Sequence, residues 1–132
     1  MTYSDRYLQE TAASNQAIRQ IQTEVKDALE LVMGDSSPEM LDEMASIFLE
    51  DAVPLIDQIK TGYANQDFVS ITMAAHALKG SSATIGLANF ANICLAVETG
   101  GKQNEANLVS QQLPMLETEY AQIKEALSTF LL

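Results

Sequence analysis

The only histidine of this 132-residue chain is His76, in the run Ala74-Ala75-His76-Ala77-Leu78-Lys79-Gly80-Ser81-Ser82-Ala83-Thr84-Ile85-Gly86. Wound as an α-helix at about 100° per residue, the run and the turn before it put Ile71, Ala74, Leu78 and Ile85 within about 40° of the side opposite His76. Those four form the stripe that a bundle would bury, so the imidazole points outward. On its own side come Val69, Thr72, Met73, Lys79, Gly80 and Ala83, where a solvent face ordinarily carries Glu, Gln, Lys and Arg. An imidazole in water is substantially unprotonated at neutral pH and is a competent nucleophile. A mid-helix glycine costs up to about 1 kcal/mol relative to alanine, and the compensation at Gly80 is steric. One turn above His76, a missing side chain leaves room for a group on the ring and for a partner approaching it. Lys79, three residues on, is placed to offset negative charge on such a group.

The run His76-Ala77-Leu78-Lys79-Gly80-Ser81-Ser82, closed by Gly86, resembles the signature of histidine phosphotransfer (HPt) domains, an exposed histidine followed by x-hydrophobic-Lys-Gly-small-small and a later glycine. The resemblance covers about residues 40–102. Ile47-Phe48-Leu49-Glu50-Asp51-Ala52 looks like the Phe-Leu-Glu-Asp-containing second helix of that family, Asp67 like the acidic residue before its histidine helix, and Val97-Glu98 like its Leu-Glu pair. Ala77 and Leu87 depart from the polar or β-branched residue and the alanine that members often have, without touching the chemistry. The resemblance implies that His76 is phosphorylated at its exposed ring nitrogen and that Lys79 and Gly80 support it. Glu98, 22 residues after His76, matches a Gln or Glu that in several members reaches the inner ring nitrogen; an ordinary solvated glutamate near a helix end is the other reading.

For the whole chain the resemblance implies a phosphocarrier of a multistep phosphorelay rather than an enzyme. His76 would take a phosphoryl group from a receiver-domain aspartate and yield it to another receiver. The partners are then response-regulator receiver domains and a hybrid sensor kinase, the chain a monomer. It needs no cofactor of its own, Mg²⁺ arriving with the receiver. Val69, Thr72, Met73 and Ala83 would make the docking fringe. Two rivals differ in kind: the phosphoacceptor domain of a sensor kinase, which usually has an acidic residue at the Ala77 position and an Arg/Lys-Thr-Pro after it, and a plain helical adaptor with an incidental histidine.

Net charge is −11, from 18 acidic and 7 basic residues, which disfavours nucleic acid and anionic membrane surfaces as partners. No apolar run approaches the roughly 18 residues of a spanning helix, and the N-terminus lacks a basic flank with an apolar core, so a cytoplasmic location is expected. Cys94 is the sole cysteine, which excludes an intrachain disulfide or a cysteine zinc cluster and suits a small buried apolar residue. With one histidine and no Ca²⁺-loop spacing, no metal site is expected.

An apolar fraction of 47%, no Trp, three prolines and six glycines favour an all-α chain. Residues 1–14 are weakly patterned and form a lead-in or a short helix, and 15–132 form the bundle domain. Ile18, Ile21, Val25, Ala28, Leu29 and Val32 predict a helix over about 15–33, stopped by Gly34. Ser36 or Ser37 then caps a helix opened by Pro38 and Glu39, with a stripe of Met40, Leu41, Met44, Ile47, Phe48, Leu55, Ile56 and Ile59, a bend at Pro54 and a turn at 62–67. The histidine helix covers about 67–85. A fourth, about 87–99, offers Phe90, Ile93, Cys94 and Val97 and ends at Gly100-Gly101. A fifth, about 104–130, shows Leu108, Leu113, Leu116, Tyr120, Ile123 and Leu127. Short connections make an up-and-down antiparallel four-helix bundle, with an additional N-terminal helix, the economical packing.

Overall fold

Five helices account for nearly all of the chain: α1 (Tyr3–Met33), α2 (Pro38–Ala64), α3 (Phe68–Thr84), α4 (Ala88–Lys102) and α5 (Ala106–Ser128). The structure, a computed structural model, describes residues 2–132, with no strand among them. Helices α2 to α5 each pack on the next in sequence, and α5 closes the ring onto α2. Their connections are short (65–67, 85–87 and 103–105), which makes neighbours antiparallel and gives the expected up-and-down bundle. Ser37 caps α2 by accepting from the Met40 amide at 3.3 Å. Asp67 does the same for α3 from the Ser70 amide at 3.1 Å.

The core runs through Leu41, Phe48, Ile59, Ile71, Leu78, Phe90, Val97, Leu116, Ile123 and Leu127, all buried. Phe90 sits at its centre, edge-on to Phe48 with ring centroids 6.4 Å apart and tilted against Tyr120 at the same separation. Cys94 is buried there as the sequence suggests, and burial pushes its thiol up to about 12, which leaves it unreactive.

Helix α1 packs against α5 with Ile18, Ile21, Val25 and Leu29 buried, and the Gln22 amide donates to Thr129 Oγ1 at 3.0 Å. No break marks residue 14. A capping box between Thr2 and Asp5 opens a single helix that continues to Met33; Met1, the first residue of the expected lead-in, lies outside the described residues. Gly86, at φ +81, lets the α3–α4 turn lie on α1, since a Cβ there would collide with Ala28 and come within 3.0 Å of Glu24 O.

Several expectations need correction. Val32 is exposed, as are Leu31 and Met33, because Leu29 is the last α1 residue in the core and the final turn has nothing to pack on. Ile47 is exposed too, since the buried stripe of α2 takes the smaller Ala45 and Ala52 with Leu41, Phe48, Ile56 and Ile59. The single helix expected through Pro54 is present, and α5 likewise runs on through Pro114; both prolines are exposed, where solvent can serve the carbonyl that loses its donor. Gly62, Gly100 and Gly101 are buried inside helices rather than ending them. A Cβ on Gly62 would meet Ile71 Cγ1 at 2.9 Å, and one on Gly100 would meet Val109 Cγ2 at 2.8 Å, so these glycines mark close helix crossings.

Candidate functional site

Helix α3 buries Ile71, Ala74, Ala75, Leu78 and Ser82. Ser82 turns inward and satisfies its hydroxyl by donating to Leu78 O at 2.6 Å. With that face sunk in the bundle, the imidazole of His76 stands on the outer flank with 68% of its side chain exposed. Gly80, one turn further on, is exposed, and nothing lies within 4 Å of where its Cβ would be. No packing demand therefore accounts for this glycine, unlike Gly62, Gly100 and Gly101.

The decisive partner comes from α4. Its buried stripe of Phe90, Ile93, Cys94 and Val97 is continued by Glu98, a carboxylate only 2% exposed. Glu98 Oε2 lies 2.7 Å from His76 Nδ1, and Oε1 accepts from Lys79 Nζ at 2.6 Å. Lys102 Nζ stands 3.4 Å from Oε2. A buried carboxylate would ordinarily favour its neutral form. Here the Lys79 hydrogen bond, helped by the His76 bond and the charges of Lys79 and Lys102, outweighs burial and holds Glu98 down at about 2.

That charge state decides the tautomer. An ionised carboxylate only accepts hydrogen bonds, so Nδ1 of His76 must carry the proton shared with Glu98 Oε2. Whenever the ring is neutral, Nε2 is then the nitrogen with the free electron pair. The arrangement can do one thing well: present an oriented, nucleophilic Nε2 to a partner, with a carboxylate behind the ring to offset positive charge that develops as Nε2 forms a bond.

Of the residues singled out from sequence, the fold brings His76, Lys79 and Glu98 into one network and leaves Gly80 open beside it. Of the two readings of Glu98, the structure matches the contact with the ring. Val69, Met73 and Ala83 are exposed on the His76 side of α3. Thr72 is half-buried, its hydroxyl donating to Phe68 O at 2.7 Å, so it belongs to the α3–α4 seam. Val69, Met73 and Lys102 edge a shallow groove of about 250 Å³ that Thr72 and Gly101 floor. Lys102 was not anticipated; a signal for it exists in its position four residues after Glu98, the favourable order for a Glu–Lys pair on a helix. Among the described residues no group of three or more His, Cys, Asp or Glu side chains is placed to hold a metal ion, and no helix is long and apolar enough to cross a membrane.

Residues 43–128 match the family model described as Hpt domain. Histidine-containing phosphotransfer protein 1 of Arabidopsis thaliana is 24% identical over 103 residues, covering 76% of this chain and 67% of that protein. Sensor protein TorS of Escherichia coli K12 is 35% identical over 60 residues, 46% of this chain and 7% of its own length. In three dimensions the chain is similar to the crystal structure of histidine-containing phosphotransfer protein B from Pseudomonas aeruginosa PAO1. The TM-score is 0.63 at 22% identity, over 80% of this chain and 88% of that one.

Proposed function

This chain belongs to the Hpt domain family, whose work is phosphotransfer in phosphorelays, and from that premise we propose that His76 is its phosphoacceptor. Nε2 attacks the phosphorus of an aspartyl phosphate on a receiver domain. The N–P bond forms as the P–O bond breaks in line, and the aspartate leaves as a carboxylate with the electron pair. Nδ1 keeps its proton on Glu98, so the positive charge gained by the ring faces a fixed negative charge. Transfer to a second receiver is the same displacement run backwards. Lys79, three residues after His76 on the same side of α3, turns from Glu98 toward the phosphoryl oxygens, and Gly80 leaves the clearance that a second protein needs.

In this reading the chain contributes a nucleophile, a cation and open space, without a kinase or nucleotide site. Mg²⁺ and the acidic groups that hold it belong to the receiver. The partial likeness to a sensor protein supports a hybrid sensor kinase as the upstream source, and the chain acts as a cytoplasmic monomer. Val69, Met73 and Ala83 form the apolar part of the docking face, which suits a transient contact below about 1,200 Å².

The observation that carries the reading is the 2.7 Å contact between Nδ1 of an exposed imidazole and a buried carboxylate. Incubation with a phosphorylated receiver domain tests it. The chain should acquire an acid-labile, alkali-stable phosphate, and His76→Gln should abolish it while far-UV circular dichroism and the melting temperature hold. Label retained by that variant overturns the assignment.

A further inference from the structure

Gly101 is buried within α4, three residues after Glu98 and on the same side of the helix. A Cβ there would collide with Thr72 Oγ1 and come within 3.1 Å of Thr72 N and 3.2 Å of Phe68 O. The α4 backbone thus rests directly on the first turns of α3. Thr72 in turn is one turn before His76. Along the α3–α4 seam, Thr72–Gly101 and His76–Glu98 are successive rungs. The spacing at the first rung is passed to the second through two stiff helix backbones. The 2.7 Å contact of His76 has little tolerance, because a hydrogen bond weakens steeply once stretched by several tenths of an ångström.

We infer that Gly101 is a positioning residue for the phosphotransfer site: by letting the α4 backbone rest against Thr72 and Phe68, it holds the Glu98 carboxylate within reach of His76 Nδ1. Its neighbour Gly100 shows what is specific about this position. Gly100 faces α5, where a Cβ would meet Val109 Cγ2 at 2.8 Å and Val109 N at 3.3 Å, so filling it strains a comparable crossing without entering the α3–α4 seam. The Thr72 hydroxyl is the nearest obstacle at the Gly101 rung, and once it is removed the next atoms a Cβ would meet, Thr72 N and Phe68 O, lie above 3.0 Å.

The inference rests on the proposed role of His76 for its effect on transfer, and the test separates the two. Imidazole ¹⁵N NMR of the full chain, which reports the nitrogen bearing the proton, is recorded beside transfer from a phosphorylated receiver for wild type, Gly101→Ala, Gly100→Ala and Gly101→Ala with Thr72→Ala. Gly101→Ala should lose the Nδ1–H preference and transfer about tenfold more slowly, the cost of one charge-assisted hydrogen bond. Gly100→Ala should lower the melting temperature similarly while keeping the wild-type tautomer, and Thr72→Ala should restore the tautomer in the double variant. If Gly101→Ala does not fold, Thr72→Val puts a wider methyl against the Gly101 backbone from the α3 side and should shift the tautomer in the same direction. A wild-type tautomer in Gly101→Ala, or in Thr72→Val where that variant stands in, overturns the inference, as does an equal shift in Gly100→Ala. Absence of transfer in wild type, with the tautomer responding as stated, would instead remove the phosphocarrier reading and leave the positioning role standing.

Discussion

Replacing Glu98 by Gln keeps the shape of the side chain and removes its charge, so it isolates what the buried carboxylate contributes. The folded chain holds this group down from 4.5 to about 2, chiefly through the Lys79 hydrogen bond. At about 1.4 kcal/mol per pH unit, the interval corresponds to about 3 kcal/mol of stability. Because Lys79 is 30% and Lys102 64% exposed, water takes up part of what they lose, and about 3 kcal/mol is a ceiling. The folded-state value is depressed, so the contribution is complete above about pH 4.5, falls as the pH passes toward 2, and is gone below it. Urea unfolding of wild type and Glu98→Gln, followed by helical circular dichroism from pH 7 to pH 2, should show a gap of 2 to 3 kcal/mol that is constant above pH 5 and closes on acidification, by about the amount derived above. The other acidic residues titrate alike in both proteins and cancel in the difference. A gap that stays constant through that window, or no gap at neutral pH, would refute the assignment of Glu98 as an ionised buried group.

Gly80→Gln should raise stability by up to about 1 kcal/mol through helix propensity, since nothing stands where the new side chain begins, yet block transfer from a phosphorylated receiver; melting temperature and transfer rate moving together would contradict the clearance argument. Lys79→Ala removes the partner of Glu98 Oε1 and should cost about 2 kcal/mol in denaturant unfolding while shortening the lifetime of the phosphohistidine; an unchanged lifetime would confine Lys79 to holding Glu98.

Much of this architecture was legible from periodicity. The stripe opposite His76, the outward direction of the ring and a serine cap at 36 or 37 follow from three- and four-residue spacing and known end chemistry, and the structure has the first two and places the cap at Ser37. What periodicity cannot carry is the distance between helices. Gly100 and Gly101 look like a stop because glycine usually is one, whereas here the missing side chains let α4 touch α5 and α3. Thr72 shares the angular sector of His76, yet close approach of α4 at Gly101 takes it into the seam. Glu98 lies in register with Phe90, Cys94 and Val97, and a carboxylate on an apolar stripe marks a buried charge; its partners on α3 become identifiable only when the two helices are set side by side. Val32 and Ile47 continue their stripes in sequence, but the last turn of α1 lies past the core, and α2 turns Ala45, Phe48 and Ala52 inward where the stripe would have had Ile47.

His76 stands exposed on the outer flank of the bundle, with Gly80 open beside it, and in the proposed phosphotransfer that placement sets a rule of traffic. Two proteins cannot straddle one ring from the same side, so donor and recipient must queue for the same ground and each must leave before the next arrives. In that proposed role the chain acts as a turnstile, the direction of flow belonging to whichever phosphorylated or empty partner is most abundant around it.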